Sequence, residues 1–325
     1  MRIALAALIL ACATHPAQTQ TFTTIHNFTG ASADGFSPYS PLVRSGKVLY
    51  GTTLSGGAYN SGAVFSLAPP TSPGEHWTEK ILYSFTGGLD GAGPEAGLVI
   101  VGEVLYGATN RGGAANLGTA YSLTPPQSPG GPWTETVLHS FGKEKFDGTT
   151  PAATLVLGSR GTLYGTTAGG GRHNGGTVFQ LSPPKSPGGM WTEQILDTFV
   201  DGPRTTGVAI DLVSGILYGT IPSGGSQAQG SIFSLTPPAV PGAAWTESEI
   251  YSFTGDSDGG EPNTILLAPS GVLYGASHGL HSHGAAFSLA PPAVPGAAWI
   301  FTILHEFKDS PDVAIVFRRA RFSAL

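Results

Sequence analysis

Five aspartates stand directly before glycine at near-regular intervals: Asp34, Asp90, Asp147, Asp201 and Asp258. Carboxylates that recur at one spacing can line a ring, and Asp90, Asp147, Asp201 and Asp258 are the candidates to hold a cation or a polar ligand. The plainer chemistry is a turn, in which the aspartate bonds a backbone N–H just ahead of it. Asp256-Ser257-Asp258-Gly259-Gly260-Glu261 brings three carboxylates together and is the most Ca²⁺-like stretch, although it lacks the full twelve-residue loop pattern. Asn60, Asn116 and Asn174 recur in a second set of loops, rich in glycine. There asparagine accepts left-handed backbone and also offers an amide to a ligand. The fourth and fifth copies lose this asparagine. His278, His281 and His283 place three imidazoles within six residues, a set suited to Zn²⁺.

Other chemistry is absent from the pattern. No G-x-S-x-G, H-E-x-x-H or Walker loop occurs. The glycine-rich loops join strand to strand, so they have no helix N-terminus with which to cradle phosphate. A carboxylate pair for glycoside cleavage would have to be assembled across repeats. Net charge is −6, with no basic stripe of the kind nucleic-acid binding needs. Charged residues are 11%, well below the roughly 25% of an ordinary soluble domain, yet hydrophobics reach 40%. That balance excludes disorder, which needs low hydrophobicity and high charge.

The elements that position these residues repeat. Leu-Tyr-Gly recurs at residues 49–51, 105–107, 163–165, 217–219 and 273–275, a period of 54–58. The unit from Asp147 to Phe199 reads as four short strands: 153–157, 162–167, 177–181 and 191–199. A tight glycine turn, a Gly-Gly loop and a Pro-Pro stop separate them. Four antiparallel strands at a fixed period predict an all-β fold, a β-propeller of four-stranded blades with five complete repeats. On that connectivity the Asp-Gly and Gly-Gly loops share one face, the face on which propellers generally bind ligands near the axis. Residues 21–28 read as a lone fourth strand, and 311–317 as the first strand of an incomplete sixth repeat. The domain plan is therefore 1–20, then a propeller over 21–307, then 308–325 as the incomplete repeat or tail.

Residues 1–20 read as an export signal, with Arg2 before an apolar run from Ile3 to Leu10 and an Ala11-Cys12-Ala13 cleavage site. Cys12, the sole cysteine, is either an apolar residue of that signal or a lipidated anchor. No segment of the body approaches a transmembrane span.

The repeat L-Y-G-T-T-x-x-G-G-x(4–5)-G-x-V-F-x-L-x-P, followed by W-T-E and S-F, resembles the GloVer tandem repeat of bacterial "choice-of-anchor" exported proteins. Its Gly-Gly doublet and later aromatic are more distantly similar to kelch propellers. The GloVer resemblance implies an exported, extracellular or surface-held propeller and brings no activity with it. The expected function is a binding or structural surface module whose partner is an extracellular glycan or a protein. The alternative is a propeller enzyme acting on extracellular polysaccharide. The fifth repeat departs most from the others and is the first place to look for function.

Overall fold

The computed structural model describes residues 23–30, 34–72, 74–151, 153–186, 188–200, 207–240, 242–278, 284–294 and 296–307. They form five antiparallel sheets, one per repeat, and the fold is a five-bladed β-propeller. Blade 1 orders its strands from inside to outside as Gly35–Pro38 with Val43–Ser45, Val48–Gly56, Ala63–Ala68 and Thr78–Ser84. Blade 2 uses Val99–Val101, Val104–Thr109, Thr119–Thr124 and Thr134–Ser140. Blade 3 uses Gly148–Pro151 with Val156–Leu157, Leu163–Gly170, Thr177–Ser182 and Thr192–Thr198. Blade 4 uses Val208–Ile210, Leu217–Ile221, Ser231–Thr236 and Thr246–Ser252. Blade 5 uses Gly260–Leu267, Leu273–His278, Ala285–Ala290 and Ile300–Glu306.

Two expectations about strands change. The first strand of blade 3 begins at the glycine of the Asp-Gly pair, Gly148, because the long second strand needs a partner as far as Gly170. Residues 23–30 belong to no strand, since no neighbouring chain among the described residues supplies a ladder. Phe28 still packs edge-on against Phe65 of blade 1, with ring centroids 5.0 Å apart. That is the place Phe85 takes on Tyr121 of blade 2, and Phe141 on Phe179 of blade 3.

The core lies between blades. In each blade the glycine of Leu-Tyr-Gly pairs with the aromatic of the third strand: Gly51 with Phe65, Gly107 with Tyr121, Gly165 with Phe179, Gly219 with Phe233 and Gly275 with Phe287. The ring lies over the glycine, so a Cβ at Gly165 would stand 2.5 Å from Phe179 Cζ. This close approach is why the repeat demands glycine there. All five aromatics are buried, and four apolar clusters each join consecutive blades.

A β-bulge recurs in the pairing of the third and fourth strands of every blade, as between Val64 and Phe65 and between Val178 and Phe179. The extra residue on the fourth strand is Leu82, Leu138, Leu196, Ile250 or Leu304. A bulge inverts the two-residue alternation beyond it. The start of each fourth strand therefore faces the preceding blade, and its end faces the following one.

Candidate functional site

The bulge assembles one polar cluster per blade junction, from three elements. Tyr83, His139, Asp197 and Tyr251 follow the bulge and point to the next blade. Glu79, Glu135, Glu193 and Glu247 come from the Trp-Thr-Glu start of the fourth strand and point to the preceding blade. Where the loop is described, its aspartate, Asp34, Asp90, Asp147 or Asp258, lies beside these groups. His139, Asp147 and Glu193 meet in this way, as do His26, Asp34 and Glu79, with their polar atoms within 4.8 Å of one another.

The loop aspartates are held by hydrogen bonds, mostly from residues behind them in the chain. Asp34 accepts from Thr29 N and Oγ1 at 2.6 Å each, and from Gly35 N at 2.7 Å. Asp90 accepts from Thr86 N at 2.8 Å and Oγ1 at 2.5 Å, and from the Tyr83 hydroxyl at 3.0 Å. Asp147 Oδ2 accepts from Gly142 N at 2.8 Å and Lys143 N at 3.3 Å. Asp258 accepts from Thr254 Oγ1 at 2.5 Å and from the Tyr251 hydroxyl at 2.8 Å. The carboxylates thus close the loop between blades, and the turn bond to the residue ahead appears at Asp34. Among the described residues, no cluster of three acidic or histidine groups unites two of these aspartates.

Burial sets the protonation of the clusters. Burial, then the Asp34 charge, pushes Glu79 up to about 7. Burial and the Asp90 charge do the same to Glu135, also to about 7. Asp34 itself is held below its ordinary value: burial opposes ionisation, but the bonds from Thr29 and Gly35, with His26 close by, together outweigh it. At the junction of blades 3 and 4, burial raises Asp197, and burial with the Asp197 charge raises Glu247. At the junction of blades 4 and 5 the glutamate is replaced by Phe301, which stacks on Tyr251 at 4.6 Å.

Asn60, Asn116 and Asn174 sit at φ 54°, 57° and 61°. Each side-chain oxygen accepts from the glycine N–H four residues earlier, at 3.0–3.1 Å. In blade 4 Ala228 takes the same left-handed conformation, at φ 54°, without a side chain to bond. His278 ends the second strand of blade 5, opposite Gly260. His281, His283, Asp201 and Cys12 lie outside the described residues. The Asp-Gly and Gly-Gly loops do share a face, joined by Gly57 N to Asp34 O at 2.9 Å and by Gly171 N to Asp147 O at 3.0 Å.

The opposite face holds a feature that residue types alone did not single out. There the tyrosine of Leu-Tyr-Gly packs against the tryptophan of the next blade: Tyr106 on Trp191 at 6.0 Å, Tyr164 on Trp245 at 6.3 Å and Tyr218 on Trp299 at 5.8 Å. Between blades 1 and 2, Tyr50 and Trp133 instead line a cleft of about 420 Å³ together with Ser45, Glu103, Gln127, Ser128 and the prolines 125, 126 and 129. Among the described residues, no ring contact joins Tyr50 to Trp133. The repeats are alike in sequence at both aromatics, so only their spacing in space could reveal the opening.

The Gloeobacter/Verrucomicrobia repeat matches residues 13–129 and 136–319. The chain belongs to this repeat family. No curated protein matches it in sequence. Similar folds among solved structures include a protein of unknown function from Dyadobacter fermentans DSM 18053, at 12% identity over 84% of each chain and TM-score 0.45. A Hadza microbial sialidase is 12% identical over 82% of this chain and 58% of its own, with TM-score 0.40. An exo-1,5-α-L-arabinanase from a bovine ruminal metagenomic library is 11% identical over 86% and 99%, with TM-score 0.41. Among the described residues of this repeat protein, no helix is long and apolar enough to cross a membrane.

Proposed function

We propose that this repeat protein is an exported binding module, and that it takes an extracellular glycan in the cleft between blades 1 and 2. The cleft carries this reading. Its volume of about 420 Å³ falls in the range of small-molecule sites, and it combines aromatic walls with a few polar groups. An aromatic face stacks on the C–H face of a sugar, while Glu103, Gln127, Ser45 and Ser128 suit hydroxyl groups. Glycan-array screening followed by titration calorimetry tests it. A hit whose affinity falls at least tenfold in Gln127→Ala and in Trp133→Ala supports the reading. Binding unchanged in both variants, or capture of a protein with no glycan hit, counts against it.

Export rests on residues 1–20, and mass spectrometry of the secreted protein's first residue separates a lipidated Cys12 from a free N-terminus. The incomplete sixth repeat is supported by two observations. Phe28 seats on blade 1 as a preceding fourth strand would, and Tyr274 is 42% exposed where Tyr106, Tyr164 and Tyr218 meet the next tryptophan. Adding a copy of residues 158–184 after residue 317 supplies the two middle strands and should raise Tm. An unchanged Tm argues against a sixth blade.

A further inference from the structure

The junction of blades 2 and 3 carries a donor set spaced more widely than a close ion pair. Nε2 of His139 lies 3.2 Å from Asp147 Oδ2, 3.4 Å from its Oδ1 and 3.5 Å from Glu193 Oε2. A charge-assisted N–H···O bond closes to about 2.7–2.9 Å. Donors around a tetrahedral ion with bonds of about 2.0–2.2 Å stand roughly 3.3–3.5 Å apart. The Asp147 side chain is fully buried, and its Oδ2 also accepts from the amides of Gly142 and Lys143, as outer-shell donors fix a metal ligand. Glu193 Oε1 is buried with no hydrogen-bond partner.

The same set recurs ahead of blade 1. His26 Nε2 stands 3.6 Å from Asp34 and 3.8 Å from Glu79. The Glu79 side chain is only 10% exposed, and both its Oε1 and the His26 Nε2 lack hydrogen-bond partners. A buried carboxylate and a buried imidazole nitrogen that face one another and stay unbonded are costly. An ion between them removes that cost.

We propose that His139–Asp147–Glu193 and His26–Asp34–Glu79 are two divalent-metal sites of the zinc class, each clamping the segment that carries its histidine to the blade that follows it. The imidazole favours zinc over calcium, which takes an all-oxygen set. Each site draws its histidine and its glutamate from opposite sides of a junction, so the ion bridges them. At the first site it pins residues 23–30, which have no ladder of their own, to blade 1. The repeat supplies its own control. Where tyrosine replaces histidine, at Tyr83 and Tyr251, the phenol bonds the loop aspartate directly at 3.0 and 2.8 Å, and no ion is needed.

The test substitutes His139→Tyr and His26→Tyr in the full-length chain, singly and together, a change that other junctions of the same propeller already accommodate. Protein stripped with chelator is dialysed against Zn²⁺, and bound metal is measured by elemental mass spectrometry. Each single variant should lose one equivalent of zinc, and the double variant should lose two. Zinc should raise Tm in the parent, and that increment should vanish in the double variant. Co²⁺ should give a tetrahedral absorption band in the parent, weakened by each substitution. Zinc content unchanged by the tyrosine variants, or no zinc retained by the parent, overturns the proposal.

Discussion

The Tyr83 hydroxyl donates to the Asp90 carboxylate at 3.0 Å, across the junction of blades 1 and 2. This bond occupies the place His139 holds beside Asp147, so one repeat position serves as phenol or imidazole according to the junction. Removing the hydroxyl in Tyr83→Phe takes one donor from a half-buried carboxylate while leaving the ring that packs on Phe85 at 5.1 Å. A hydrogen bond to a charged group contributes about 1.5–3 kcal/mol. Urea unfolding of Tyr83→Phe should show a loss of that order; a loss below about 0.5 kcal/mol would mean the loop threonine alone satisfies Asp90.

Glu135 shares this junction, and its raised carboxyl makes stability depend on pH. The folded chain holds the Glu135 proton up to about 7, whereas the ordinary value is 4.5. Below 4.5 the group is neutral in both states and its contribution is fully present. As pH rises from 4.5 through 7, the unfolded chain releases the proton first, so stability falls. Tm measured from pH 5 to pH 8 should decline, and Glu135→Gln, which cannot ionise, should flatten part of that decline. A steeper decline in the variant would show that Glu135 is ionised in the fold.

Gly165 lies beneath the ring of Phe179, so Gly165→Ala forces a methyl into space the ring fills. Overpacking of this kind costs about 1–3 kcal/mol. Adding Phe179→Leu should recover part of the loss in a double-mutant cycle. Additive losses would mean that the two residues do not compete for the same volume.

Asn116 combines left-handed backbone, at φ 57°, with a side-chain bond from Gly112 N at 3.0 Å. Asn116→Ala should cost about 1–2 kcal/mol, from the strained backbone and the lost bond together. Asn116→Gly removes the bond and relieves the backbone, so thermal unfolding should place it between the parent and the alanine variant. If the glycine variant is the less stable of the two, the left-handed backbone imposes no strain on the alanine variant.

Much of the architecture was legible because it is local. Gly-Gly and Asp-Gly mark turns by their own backbone freedom, and short apolar runs between them set the strand count. The repeated Leu-Tyr-Gly makes the blade count a matter of reading the period. The face shared by the Asp-Gly and Gly-Gly loops follows from counting strands. The split first strand of blade 3 was not legible, because what pairs with Gly148–Pro151 is the length of the neighbouring strand. The sheet membership of residues 23–30 was equally hidden, because a strand is defined by its partner. The cleft beside Tyr50 and Trp133 depends on how blades 1 and 2 sit, and these two residues read like every other copy.

The sequence by itself determined that this chain repeats a four-stranded unit five times, where its glycines must turn, and which aromatics fill the space between units. It could not say which groups meet. Glu193 and Asp197 are four residues apart, so regular alternation puts both on one side of the strand. The bulge at Leu196 reverses that alternation, sending Glu193 back to His139 and Asp197 forward to blade 4. A bulge arises from the pairing of two strands across a blade, and the clusters arise from contact between blades. Both are products of tertiary packing, and for that reason the histidine, aspartate and glutamate that lie together in space stand apart in the chain.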